Sequence, residues 1–263
     1  MKLACMTNVF RHDPPEAAFA KIAAAGFKHI ELASLHCDYN TLTNALIDNI
    51  VHALNKAGLD VLSYYPYGAR EHWTRMPRMF EVARRVGART VVLGCAHVGV
   101  AKQLEPLCNK LEIDLAIENH WPEPFGRPSD FHSLNGSVSA RIGAAPDVGW
   151  FAAGGQDPLE IFRVAPDRIK VVHLKDVAAA GEHRPVNFGA GVAQLERVMR
   201  ELVARKFRGT ITVEREAGRV IRFVPDADGK VAYDITEEPL TDAEAIRLLR
   251  QARKWALAHG AVE

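Results

Sequence analysis

Short, continuous apolar runs alternate along the chain with longer stretches in which apolar residues recur every three to four positions. The runs occupy residues 3–6, 29–32, 60–64, 90–93, 114–117, 141–144, 169–174 and 210–213. Several are rich in Val and Ile and most are bounded by Gly, Pro or polar residues, the pattern of strands buried on both faces. The stretches between them, such as PPEAAFAKIAAAG, LTNALIDNIVHALNKAG, MPRMFEVARRVG, VAQLERVMRELVARK and TDAEAIRLLRQARKWALAHG, carry helical periodicity. Several end in Gly, a common helix stop. Helix, Gly and β-rich run follow one another four times, in AAAGFKHIEL, NKAGLDVLSYY, RRVGARTVVLG and ARKFRGTITVE. This is a βα repeat clear in pattern and weak in residue identity.

Eight candidate strands in 263 residues give one unit per ~33 residues, which predicts an α/β fold of the (β/α)8 barrel type. The rival, a doubly wound open sheet, normally offers a Gly-rich first turn, and G-x-G-x-x-G is absent after the first run. Residues 219–238 break the repeat. There VIRFVPDADGKVAYDI alternates around Asp228-Gly229, predicting a β-hairpin inserted between the last strand and the last helix. No linker interrupts the pattern, so residues 1–263 read as one domain.

Composition adds mainly exclusions. Lys and Arg number 33 against 32 Asp and Glu, a formal charge of +1 that supplies no overall field for a nucleic-acid backbone or an anionic membrane. No run approaches the ~20 apolar residues of a spanning helix, and the N-terminus lacks the apolar core of a signal peptide. Cys5, Cys37, Cys95 and Cys108 form no C-x-x-C pair. They read as reduced thiols, so the expected compartment is the cytoplasm.

In a barrel of this kind, chemistry gathers at the C-terminal ends of the strands. Those ends carry Glu118 after LAI, Asp147 after GAAP, His173 after KVV and Glu214 after ITV, separated by 29, 26 and 41 residues. Each gap is near one βα unit, so the four side chains should converge from consecutive strands. Three carboxylates and one imidazole suit one divalent ion, Mn2+ first, with Mg2+ or Co2+ as alternatives.

The stretches LAIENH, APDVGW, VVHLKD and ITVERE, with HIELASLH and its Glu31 near the start, resemble the xylose isomerase-like TIM-barrel superfamily. They are most similar to its sugar phosphate isomerase and epimerase branch, which includes ketose 3-epimerases and inosose dehydratases. The resemblance extends to about Gly218. It implies a single divalent metal held by Glu118, Asp147, His173 and Glu214, with Glu118 and Glu214 exchanging the substrate's proton. The chemistry is coherent on its own terms. Removing a proton beside a ketone creates an enediolate, which a metal stabilises as Lewis acid, and epimerisation needs an acid and a base on opposite faces.

The chain also departs from the epimerase pattern. The D-x-x-H of those enzymes is here Asp147-Val-Gly-Trp150, and an indole can stack on a sugar but cannot relay a proton. An Arg usual beyond the metal-binding His is missing, leaving Arg184 or Lys175 as candidate donors to a substrate oxygen. His120 and Glu216 complete the expected substrate contacts. His36 and His97 follow the second and fourth strands, and Tyr64 and Tyr65 stand at the end of the third; for all four either packing or pocket roles fit. Gly189-Ala-Gly191 could present amides to an anion, although no basic residue stands beside it.

The expected substrate is a ketose or keto-polyol, and the expected reaction is isomerisation or epimerisation. Elimination from a keto-sugar, a 3-keto-glycoside or an inosose is the alternative at the same site. A DNA-repair activity of the endonuclease IV type is remote. No nucleic-acid or membrane partner is expected, and a homodimer stays open.

Overall fold

Each of the eight apolar runs forms a strand, and the strands lie parallel. They are β1 (Lys2–Met6), β2 (His29–Ala33), β3 (Asp60–Tyr65), β4 (Thr90–Gly94), β5 (Asp114–Glu118), β6 (Ile142–Ala145), β7 (Val171–Leu174) and, after two short strands described below, β10 (Thr210–Val213). The computed structural model describes residues 1–69, 75–94, 98–123, 125–216, 218–225, 228 and 231–263. Cys95, His97 and Gly229 of the expected hairpin turn lie outside the described residues.

The strands hydrogen-bond in the order β6-β5-β4-β3-β2-β1-β10-β7. β6 and β7 meet through two parallel bridges, Ala144 opposite Ile169 and Asp147 opposite His173, which nearly close the barrel. The amides of Lys170 and His173 donate across that seam to Ala144 and Pro146, each at 2.9 Å. Helices α1 (Pro15–Ala24), α2 (Asn44–Ala57), α3 (Met76–Arg85), α4 (Val98–Leu111), α5 (Val148–Ala153), α6 (Ile161–Val164), α7 (Leu195–Ala204) and α8 (Asp242–Ala258) connect the strands.

The two-residue period of a strand explains why these runs are apolar throughout and yet carry charge at their ends. Outward residues such as Cys5, Ile30, Leu115, Leu174 and Val213 join the helices in one continuous core. Inward residues, among them Met6, Ala33, Val92, Ala116 and Val171, form a second, smaller cluster inside the barrel. Glu118 stands two residues after Ala116, and His173 two after Val171. Both therefore point inward at the C-terminal mouth.

Local chemistry sets the helix ends. Thr241 and Glu244 form a reciprocal capping box at the start of α8. Gly58 closes α2 in the left-handed region at φ 67°, where a Cβ would be strained. α7 begins at Leu195, three residues later than the periodicity suggests. Gln194, at its N-cap, sits in the left-handed region at φ 55°, so a right-handed helix cannot run through it from Val192. The Val192 and Ala193 amides are donated instead to the Val177 carbonyl (2.9 Å) and to Asp176 Oδ1 (3.2 Å).

A second sheet lies across the mouth. β8 (Val177–Ala179) and β9 (Glu182–Pro185) leave β7 as a short hairpin, and β11 (Arg219–Pro225) pairs with β12 (Val231–Glu237). The order is β12-β11-β9-β8, all antiparallel. The hairpin read at 219–238 is thus present, and β9 recruits it into a four-stranded roof. Trp121 and Phe223 pack edge to face at 4.8 Å, tying the roof to the loop after β5.

Candidate metal centre

Strand alternation delivers His173, Lys175, Glu214 and Glu216 to the mouth, and all four are buried. Asp147 arrives differently. It caps α5, its Oδ1 accepting from the Trp150 amide at 2.9 Å. Asn119 clamps the backbone of Asp147 from both sides: its Nδ2 donates to the Asp147 carbonyl (3.0 Å) and its Oδ1 accepts from the Asp147 amide (2.7 Å).

One donor atom from each of Glu118, Asp147, His173 and Glu214 lies within 4.8 Å of all the others. Ligand bonds of ~2.0–2.4 Å span at most ~4.8 Å across an ion, so a single divalent cation can reach the set. His173 Nδ1 approaches Glu118 Oε1 (2.5 Å) and Glu214 Oε2 (3.1 Å). Its other nitrogen, Nε2, lies 2.9 Å from Glu31 Oε1, and Glu31 is held by Ser63 Oγ at 2.5 Å and Thr212 Oγ1 at 3.5 Å. A carboxylate behind a histidine fixes the ring and leaves the opposite nitrogen for a metal.

The charge balance points the same way. Five carboxylates are buried here, Glu31, Glu118, Asp147, Glu214 and Glu216, with Lys175 and His173 as the buried basic groups. Lys175 Nζ lies 2.8 Å from Glu214, 2.9 Å from Asp147 and 3.5 Å from Glu216. Burial disfavours charge on Lys175 and on His173, but the surrounding carboxylates overcome it and raise both pKa values well above their ordinary ranges. Glu214 is pulled well below the usual carboxylate range, because Lys175 and His173 outweigh its burial. Asp147 is pushed up to about 7 by burial, assisted by Glu214 and Glu118 and opposed by Lys175. The site is short of positive charge. Buried atoms of the cluster make ion-pair contacts but no well-aligned hydrogen bond: Asp147 Oδ2 faces Lys175 Nζ at 2.9 Å, Glu214 Oε2 faces His173 Nδ1 at 3.1 Å, and Glu31 Oε1 faces His173 Nε2 at 2.9 Å. A cation among the carboxylates would add the positive charge they lack.

Two glycines permit this packing. A Cβ at Gly94 would collide with the Tyr65 hydroxyl, which donates to Glu118 Oε2 at 2.5 Å. A Cβ at Gly149 would stand 2.8 Å from Lys175 Cβ, so the glycine two residues after Asp147 makes room for the buried lysine stem.

Above the cluster is a cavity of about 380 Å³, whose walls include Tyr65, His120, Trp150, Glu214 and Glu216. Trp150 and His120 meet edge to face at 4.9 Å. Thus Glu118, Asp147, His173 and Glu214 come together as expected, with His120, Trp150 and Glu216 around them.

Lys175 is neither a solvated loop charge nor a wall of the cavity. It is 1% exposed, beneath the Trp150 ring at 5.5 Å. Arg184 departs further from expectation. Its neighbour His183 faces inward, so alternation turns Arg184 outward, where it pairs with Glu238 (3.0 Å) and Glu182 (3.7 Å). The Gly189–Gly191 amides do hold an anion, and it is internal: both glycines donate to Asp176 Oδ2, at 2.8 and 3.1 Å. Tyr65 is in the cavity wall, whereas Tyr64 donates to the Cys37 carbonyl and His36 is buried between Thr7 and Phe10.

Some contributors carried little signal in the sequence. Glu31 stood in the HIELASLH stretch and shares the inward parity of Ala33 on β2, but nothing in the sequence linked it to His173. Asn8, whose Nδ2 lies 3.3 Å from Glu214 Oε1, offered no pattern at all.

The comparisons agree with this architecture. The family model for the xylose isomerase-like TIM barrel matches residues 19–252. Among solved structures, the IolI protein with a bound zinc atom is similar at TM-score 0.75 and 16% identity, covering 98% of each chain. The 3-keto-D-glucoside 4-epimerase YcjR of E. coli aligns at TM-score 0.69 and 15% identity, over 98% of this chain and 99% of that one. The probable 3-DHS dehydratase AsbF of Bacillus anthracis aligns at TM-score 0.70 and 14% identity, over 97% and 98%. No curated protein sequence matches the chain.

Proposed function

The chain belongs to the xylose isomerase-like TIM barrel family, and from that premise we propose that it is a divalent-metal-dependent sugar isomerase or epimerase acting on a ketose or keto-polyol. The observation that carries this reading is the buried cluster of Glu118, Asp147, His173 and Glu214, whose donors one ion can span. In this reading those four residues hold the cation. Mn2+ is favoured, with Mg2+ or Co2+ as alternatives, because the donor set is three oxygens and one imidazole nitrogen without a thiolate. When bound, such an ion supplies Lewis-acid polarisation of a ketone and its neighbouring hydroxyl.

The chain's own residues then move the proton. One of Glu118 and Glu214 takes the proton from the carbon beside the ketone, and its electron pair passes into the enediolate. The other carboxyl enters protonated and returns its proton to the opposite face, so the sugar is epimerised with the two carboxyls' protonation states exchanged, and proton exchange with solvent resets the pair. Tyr65 and His120, at 2.5 and 3.3 Å from Glu118 Oε2, orient that carboxylate. Lys175 Nζ, 2.8 Å from Glu214 Oε1, steadies that carboxylate in the half of the exchange in which it is ionised, and Trp150 and His120 present faces against which a sugar ring can lie.

A second outcome uses the same first step. Where the abstracted proton lies β to a leaving group, the enolate expels that group and the reaction becomes dehydration or cleavage. The observation favouring it is the roof: a cavity partly walled by apolar side chains suits a substituted sugar better than a free hexose. The endonuclease alternative draws no support from a single cluster of four such side chains among the described residues.

Turnover of keto-sugars in D2O with added Mn2+ tests the reading. Epimerisation should place one deuterium on one carbon, and elimination should give a product lighter by water or an aglycone. Chelation should stop both. Turnover with neither label nor leaving group would point to a hydride shift and overturn the proton-transfer assignment.

A further inference from the structure

On one face of the β11–β12 ladder, Ile221 stands opposite Ile235 and Phe223 opposite Tyr233. That face continues onto Trp150, whose ring lies 6.0 Å from Phe223. Ile221, Tyr233, Ile235 and, from the loop after β2, Leu35 all border the cavity above the carboxylates. Three of them are exposed together at the rim of one cavity: Leu35 is 47% exposed, Ile235 45% and Tyr233 40%. β12 is an edge strand whose Asp234, on the other face, lies 3.9 Å from Arg222, leaving Tyr233 and Ile235 on the cavity side.

A bare sugar gives these side chains nothing to bind. Its hydroxyls need partners, and its one apolar C–H face is already matched by Trp150. The cavity's charged wall is no better explanation of the apolar one. Arg11 and Arg219 both turn toward Glu216, at 4.0 and 3.6 Å, and so are paired within the protein. At about 380 Å³ the space lies toward the lower end of the ~300–1,000 Å³ usual for small-molecule pockets.

We propose that the roof is an apolar subsite and that the substrate is a keto-sugar bearing an aromatic or aliphatic substituent, the sugar over the carboxylates and the substituent against Ile221, Tyr233, Ile235 and Leu35. This rests on the keto-sugar reading above and goes beyond it in naming the substrate class. The exposed stripe is then one wall of a binding site.

The test is calorimetric binding of phenyl β-D-glucoside, methyl β-D-glucoside and methyl β-D-glucuronide to the Mn2+-loaded protein. The phenyl glucoside should bind at least about tenfold more tightly than the methyl glucoside, ~1.4 kcal/mol. Ile235→Asn and Leu35→Asn, both at exposed positions on separate elements, should each cut that ratio to about threefold or less. Equal binding of the two glucosides, no phenyl glucoside bound at millimolar concentration, or a preference for the glucuronide would overturn the proposal. So would an aryl preference untouched by both variants, including the case in which they only split a dimer of this chain. The probes carry no ketone, so the outcome is separate from turnover. Deuterium exchange without aryl preference keeps the function and removes the subsite; aryl preference without exchange keeps the subsite and removes the function.

Discussion

At the mouth of the barrel five carboxylates and a lysine are buried, while on the roof above them Leu35, Tyr233 and Ile235 stand partly open to solvent. Each region inverts the usual partition of charge and hydrocarbon, and they do so in opposite directions across one cavity. The floor is expensive to build. Buried charges cost several kcal/mol apiece unless paired, and Asp147, pushed up to about 7, shows that the pairing is incomplete. The roof costs little, since scattered exposed apolar residues are common on proteins. A costly floor implies a cation and chemistry; an inexpensive roof implies selection among substrates. The comparison predicts that floor substitutions act strongly on metal, activity and stability, and that roof substitutions act on preference.

The largest expected effect is on catalysis. Glu118→Gln keeps an oxygen donor but cannot take a proton, so kcat should fall ~10²–10⁴-fold while metal still binds. Wild-type turnover in that variant would remove Glu118 from proton transfer. Next comes Lys175→Met, which leaves Asp147, Glu214 and Glu216 without their ammonium. Denaturant melts of the metal-free protein should show a loss of ~3–5 kcal/mol, reduced when a divalent ion is added. Equal stability of variant and parent in chelator would mean that the lysine does not balance the floor.

Glu31→Gln should weaken metal binding ~10–100-fold by loosening the ring of His173, with a smaller effect on the melting temperature. The smallest effect belongs to His183, where roof meets floor. Its ring lies tilted against Trp150 at 4.6 Å, and burial lowers its pKa to about 4. Because the unfolded chain binds that proton near 6.5, the neutral ring's contribution is complete above pH 6.5. It is lost as pH falls toward 4. Between pH 7.5 and pH 6 this linkage costs about 1 kcal/mol. His183→Phe should remove it, and an unchanged pH dependence of melting would place the acid sensitivity elsewhere.

The barrel was readable because its strands are short apolar runs at an even spacing. All eight lie within two residues of the positions that patterning predicts. The four cluster residues were readable because they stand at matching places in successive units. What lay hidden depends on contacts between distant segments. β8 and β9 have three and four residues, too few to show a period, and β9 pairs with β11 only in three dimensions. Lys175 looks like a loop charge until Gly149 is seen to admit its stem. Arg184, adjacent in sequence to the inward His183, is turned outward by strand alternation. The support of His173 by Glu31 spans 142 positions and has no local signature.

The central claim is that the buried floor is completed by one divalent ion. Calorimetric titration of chelator-treated protein with Mn2+ tests it most directly, in parallel with Asp147→Ala and His173→Ala. The account predicts one ion bound per chain, tighter above pH 7 than below as the proton on Asp147 is displaced, and no comparable binding in either variant. Absence of binding by the parent protein, or equal binding by all three, would contradict it.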